Sequence, residues 1–144
     1  MDRIEESLNF IMRNEGIRLR AYLDSANIPT IGVGTRFYPN GRKVSMGDLC
    51  TLLDAKLWLQ DHLTKYVFPI LKAYNDLPDS VYVSIVDFIY NVGHLGPSVV
   101  KALNDKNWIE LANAMREYNE AGGKVVEGLV NRREAEIKYM VGAG

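Results

Sequence analysis

The hydrophobic period changes twice along this chain, and no other feature restricts its fold so strongly. Over residues 3–15, Ile4, Leu8, Ile11 and Met12 fall on one helical face. In "RLRAYLD" the period drops to two, with Leu19, Ala21 and Leu23 alternating against Arg18, Arg20, Tyr22 and Asp24. "PTIGVGT" continues the alternation, setting Ile31 and Val33 against Thr30, Gly32 and Gly34. From Thr51 onward the period is helical again. A short strand region bracketed by helices predicts an α+β chain. The expected architecture is one domain over 1–144. A small three-stranded antiparallel sheet lobe covers about 16–50, and a larger helical lobe covers about 51–144 with the N-terminal helix 3–15. A cleft is expected between the two lobes.

Local signals punctuate these elements. Gly16 is the expected C′ residue of the first helix. Asn40-Gly41 signals a hairpin leading to the third strand. Thr51-x-x-Asp54 reads as a variant capping box, and Pro69 should kink or end the helix that follows. "PDSVYVSIVDFIYN" is apolar nearly all round, as in a helix buried inside a bundle. Glycines 122, 123 and 128 precede a last helix over about 129–141.

Composition excludes several classes of function. With 144 residues, 47% hydrophobic and 24% charged, the chain can bury a core of its own. A net charge of −1 carries no basic field for nucleic acid. The single Cys50 cannot make an internal disulfide and is expected to be inert. The start "MDRIEESLNF" does not read as a signal peptide, and no stretch approaches the length of a bilayer span, so no stable membrane insertion is expected.

Glu15 interrupts this pattern. It lies on the apolar face of the first helix, where a hydrophobe is expected. The negative end of the helix dipole and partial burial both favour the protonated carboxyl, the form a general acid needs. Asp24 follows in a more open setting and should stay charged. Two carboxyl groups in different environments are the usual equipment for glycoside hydrolysis. The plainer alternative is that Glu15 pairs with a cation. On the sheet, Asp24 and Thr30 are expected on the face cleared by Gly32 and Gly34, where a flat substrate could approach the backbone. The competing reading is that these glycines mark bulges and that Asp24 begins a turn.

Glu15-x8-Asp24-x5-Thr30 runs into "TIGVG", and is followed by "VDFIYNVG" at 86–93, "ALNDKNW" at 102–108 and "GGKVVEGLVNRREAE" at 122–136. In this order the blocks resemble the phage-type lysozymes (endolysins) of glycoside hydrolase family 24. The resemblance implies a lysozyme-like fold. It also implies a muramidase that hydrolyses the β-1,4 bond between N-acetylmuramic acid and N-acetylglucosamine with inversion, and no metal or cofactor. Glu15 would be the general acid, Asp24 would hold or activate water, and Thr30 would position that water. Asn91 would contact substrate, with Gly32 and Tyr22 beside it at the cleft edge. The family also implies a pairing between the acid and a C-terminal arginine. Arg133, which interrupts the apolar stripe of Leu129, Ile137 and Val141, is the expected partner, while Arg132 can reach Glu136. Asp87 is read as a structural hydrogen-bonder, and Trp58 and Trp108 as core anchors. Many relatives carry histidine where this chain has Thr35.

The expected partner is peptidoglycan, met by a monomer that waits in the host cytoplasm until a holin-like protein opens the membrane to the wall. The alternatives are a non-catalytic peptidoglycan-binding module, which would not need Glu15, and a lytic transglycosylase on the same fold, which needs no water-holding Asp24.

Overall fold

The computed structural model describes residues 2–74 and 76–142. Helices and strands follow the order α1 (Arg3–Glu15), β1 (Arg18–Leu23), β2 (Pro29–Gly32), α2 (Leu52–Tyr66), a 3-10 helix (Phe68–Tyr74), α3 (Asp79–Val92), α4 (Pro97–Asp105), α5 (Trp108–Arg116), β3 (Glu120–Ala121), β4 (Lys124–Val125) and α6 (Glu127–Gly142). This is the expected α+β class. Residues 8–70 form one compact unit; residues up to Ser7, with those from Leu71 on, form another. These units divide within α1 and after Ile70, whereas the change of period falls near residue 50. Helix α2 belongs with the sheet, because its Ala55 packs against the backbone of Gly32.

In the sheet unit, β1 pairs antiparallel with β2, but the register slips. Arg18 faces Gly32 and Tyr22 faces Thr30, so three residues of one strand lie opposite one of the other. Such a bulge breaks strict alternation. Ala21 is buried as expected with Ile31 and Val44, whereas Leu19 and Leu23 are exposed. The bulged residues turn to a different neighbour. Ala21 N–H donates to the Asp48 carbonyl, and Cys50 N–H donates to Leu19. The Asn40-Gly41 turn does form, with Gly41 N–H on the Tyr38 carbonyl, but its arms meet only at the Phe37–Lys43 bridge. The expected third strand is reduced to isolated bridges. Burial pushes the partly buried Cys50 thiol up, away from the reactive thiolate.

"TIGVGT" is not a continuous strand. Ile31 and Thr35 exchange backbone hydrogen bonds of 2.9 Å, closing a tight turn that holds Gly32 at φ +67° and Gly34 at φ +72°. Gly32 is buried, and a Cβ there would lie 3.2 Å from the Ala55 Cβ. The glycine thus admits the close approach of helix α2. Gly32→Ala should lower the melting temperature by about 5 °C or more, from overpacking of about 1–3 kcal/mol plus a disfavoured φ. Gly41→Ala, also left-handed but with open space around it, should cost less in the same thermal melts.

Helix α2 opens on the expected capping box. Thr51 Oγ1 accepts from Asp54 N–H at 3.1 Å, and the Asp54 carboxylate accepts from Thr51 N–H at 3.0 Å. It ends at Tyr66, and Pro69 sits inside the 3-10 turn that follows. Trp58 is half-buried, edge-on to Tyr38 at 4.9 Å between ring centres.

In the helical unit α3 is central, as its all-round apolarity demands. Every residue from Val81 to Ile89 is buried. Ser84 and Ser80 tie α3 to α6, their hydroxyls donating to the carbonyls of Glu136 (2.8 Å) and Met140 (3.0 Å). Gly93, at φ +98°, ends α3. Helices α4 and α5 pack together, with the Asn107 side chain capping α5 by accepting from Glu110 N–H. A small hairpin, β3–β4, turns at Gly122-Gly123 where no strand is expected from sequence.

Candidate active site

Asp24 is the most constrained carboxylate of the sheet unit. It follows β1 and begins a turn, one of the two alternatives left open by the sequence. Oδ1 accepts from the backbone N–H groups of Ala26 (2.8 Å) and Ile28 (3.0 Å). Asn27, at φ +60°, lets the chain reverse between them. Oδ2 accepts from both Nε (3.0 Å) and Nη2 (2.6 Å) of Arg36. The Ile28 N–H is the largest influence holding this carboxyl below the usual range. The Arg36 guanidinium and the Ala26 N–H add to it, against an opposing contribution from burial.

Arg36 is the residue that sequence reasoning missed. It lies 12 positions from Asp24, and nothing in its neighbourhood marks it; only the turn at Gly32–Gly34 brings it round. Arg36→Gln should raise the Asp24 titration midpoint, read by carboxyl NMR. A depressed carboxyl contributes stability above its unfolded pKa of about 4, and that stability is lost as pH falls through the folded value. In the variant this contribution should be smaller and its loss complete at higher pH, which acid-unfolding curves will register.

Thr30 does not stand on an open face. It is buried, at 2% exposure. Its hydroxyl lies 2.8 Å from the Ile28 carbonyl and 3.3 Å from Asp24 Oδ2. A hydroxyl has one proton, and the shorter contact takes it. Thr30 therefore braces the turn that carries Asp24. Tyr22 faces Thr30 across the strand pair and is half-buried beneath the Arg18 guanidinium, 4.6 Å from its ring centre. Glu15 closes α1 and is exposed, so the expected partial burial does not hold. Position 15 continues the line of Leu8 and Ile11, but Gly16, at φ +77° with its N–H on the Met12 carbonyl, turns the chain away where packing would have continued.

Asn91 and Arg133 are brought together in the helical unit. Asn91 sits in the last turn of α3, and its Oδ1 accepts from Arg133 Nη2 at 2.9 Å. Arg133 is 1% exposed, and Glu136 on the next turn of α6 is fully buried. Nη2 also donates to Glu136 Oε2 at 2.8 Å. Nε lies 2.7 Å from Oε1, a close ionic contact without hydrogen-bond alignment. Nη1 donates to the Tyr118 carbonyl at 3.3 Å, and the guanidinium stacks 5.0 Å from the Phe88 ring centre. Within this unit Arg133 is thus engaged with Glu136 and Asn91. Arg132 forks onto the buried Asp87, at 2.7 and 3.0 Å. The structural reading of Asp87 matches this. Burial, then the adjacent Asp87 carboxyl, push the Glu136 carboxyl upward against the pull of Arg133. Among the described residues, no group of three or more His, Cys, Asp or Glu side chains could hold a metal ion.

An α+β chain with a glutamate closing its first helix and an anchored aspartate just after the next strand has the organisation of the lysozyme-like proteins. Solved structures agree: an endolysin from Escherichia coli O157:H7 phage FAHEc1 superposes with a TM-score of 0.85 at 31% identity, over 100% of this chain and 96% of its own. The chain belongs to the phage lysozyme family, whose sequence model matches residues 12–136. The endolysin of Salmonella phage P22 is 34% identical over 136 residues, 88% of each protein. That of Bacillus phage B103 is 32% identical over 94% of this chain, which spans only 52% of that relative's length.

Proposed function

We propose that this chain is a phage endolysin: a muramidase that hydrolyses the β-1,4 bond between N-acetylmuramic acid and N-acetylglucosamine in peptidoglycan, with inversion. The observation that carries this reading is Asp24. Two backbone N–H groups and an arginine hold it ionised in a rigid turn, nine positions after Glu15, in a phage lysozyme family member. Glu15 protonates the leaving oxygen. Asp24 holds the water that attacks the opposite face of the sugar, and inversion leaves roughly 6.5–9.5 Å between the two carboxyl groups for that water. Thr30 positions Asp24 rather than the water, since its proton is committed to the Ile28 carbonyl. Asn91 contacts the sugar, and Tyr22 offers an aromatic edge to it.

No helix among the described residues is long and apolar enough to cross a membrane. The protein acts as a monomer and reaches the wall when a holin-like protein opens the membrane. Product analysis on purified peptidoglycan tests the chemistry. Reducing N-acetylmuramic ends, first formed as the α-anomer by proton NMR, are expected. Anhydromuramic ends would replace hydrolysis with transglycosylation, and a β-anomer formed first would mean a retaining route.

A further inference from the structure

The hydrogen bonding around Asn91 has a direction. Arginine only donates, so the amide oxygen must be the atom facing Arg133, and Nδ2 is turned away. Among the described residues Nδ2 has no hydrogen-bond partner, and Asn91 is only half-buried. Arg133 in turn cannot swing. Its guanidinium is sealed in the core by Glu136, the Tyr118 carbonyl and the Phe88 ring. A surface asparagine can flip its amide to suit a donor or an acceptor; this one is held in a single sense.

We infer that Arg133, locked by Glu136, is a positioning residue that fixes Asn91 as a one-way donor, and that this donor selects the acetamido carbonyl oxygen of an N-acetylated sugar. The inference rests on the reading of Asn91 as a sugar contact and adds the polarity and origin of that contact. An amide carbonyl is a strong acceptor with no proton of its own. A de-N-acetylated sugar offers an ammonium group at the same carbon, which can only donate, leaving donor against donor. Losing such a pairing strands a polar group, at a cost of about tenfold in binding.

The test uses soluble glycan chains from peptidoglycan, fully N-acetylated or chemically de-N-acetylated, with Asn91→Ala, Asn91→Asp and Arg133→Lys. The readouts are KM, kcat and thermal melting. Asn91→Asp is the decisive variant, because the carboxylate still accepts from Arg133 but has no proton to donate. Its melting temperature should match or exceed that of the parent. Its KM on the N-acetylated glycan should rise about tenfold with kcat nearly unchanged, and its preference for the N-acetylated chain should fall by the same factor. Arg133→Lys keeps the charge but not the fork, and should raise KM similarly.

If Asn91→Ala has the parent's KM, Asn91 is not a sugar contact and the inference falls with that reading. If Asn91→Ala is impaired but Asn91→Asp is not, the sugar contact stands and the donor assignment is overturned. If both are impaired but a folded Arg133→Lys keeps the parent's KM, the positioning role of Arg133 is overturned. Should Arg133→Lys fail to fold, NMR of the parent decides. Adding the N-acetylated glycan should move the Asn91 Nδ2 proton resonances downfield, and unmoved resonances overturn the assignment.

Discussion

Glu15→Gln is expected to abolish nearly all wall-lysing activity while leaving the fold intact. Glutamine matches the carboxyl in shape but cannot deliver a proton to the leaving oxygen, a role worth about 10²–10⁴-fold in rate. The structure makes this a clean test. Glu15 is exposed at the last position of α1, so the substitution opens no cavity. It also removes a negative charge from the negative end of the helix dipole, so the melting temperature should hold or rise slightly. Turbidity assays on purified peptidoglycan measure the first effect and calorimetry the second. A variant retaining more than about a tenth of parental turnover would sink the acid assignment, since that loss lies below the range general acids contribute.

The second large effect concerns Asp24, and here the structure changes the choice of variant. On an open sheet face alanine would be innocuous. In the turn that exists, Asp24 holds two backbone N–H groups and Arg36, so alanine confounds catalysis with folding. Asparagine is the better probe. Its Oδ1 still accepts from Ala26 and Ile28, while the charge that would hold and polarise the water is gone. Asp24→Asn should lose activity by orders of magnitude and stay folded, with a drop in melting temperature because Nδ2 then faces the Arg36 guanidinium, donor against donor. A variant that stays folded and lyses peptidoglycan at the parental rate would reduce Asp24 to a turn residue. The reciprocal control is Arg36→Gln, which should leave Asp24 in place with a higher titration midpoint.

Much of the site was legible because its residues break local patterns. Glu15 stands in an apolar stripe, Asp87 in an all-apolar helix, and Arg133 in the stripe of α6; each interruption is a charge that needs a reason. The capping box at Thr51 and Asp54 and the stop at Gly93 were legible because they depend on neighbours three or four positions away. What each interrupting charge meets was not legible. Arg132 and Arg133 are adjacent in sequence and both could reach a carboxylate on α3 or α6. That Arg132 engages Asp87 and Arg133 engages Glu136 depends on the rotation of the helix about its axis, which packing sets. Likewise the bulge in β1 depends on which strand residues 48–50 join, a pairing between distant segments.

The sequence by itself determined the succession of helix, strand pair and helices, the burial of α3 and the caps, and it singled out Glu15, Asp24 and the arginines of α6. These follow from periodicity and from hydrogen bonds that close within a few residues, which energies of local conformation decide. Only the tertiary structure decided that Gly32 makes room for Ala55, that Thr30 is buried under its own turn, that Arg36 comes round to Asp24, and that Arg133 turns to Asn91. For Gly32, Arg36 and Arg133 the deciding quantity is the separation of groups 12 or more positions apart. Chain connectivity leaves that distance free, and packing closes it.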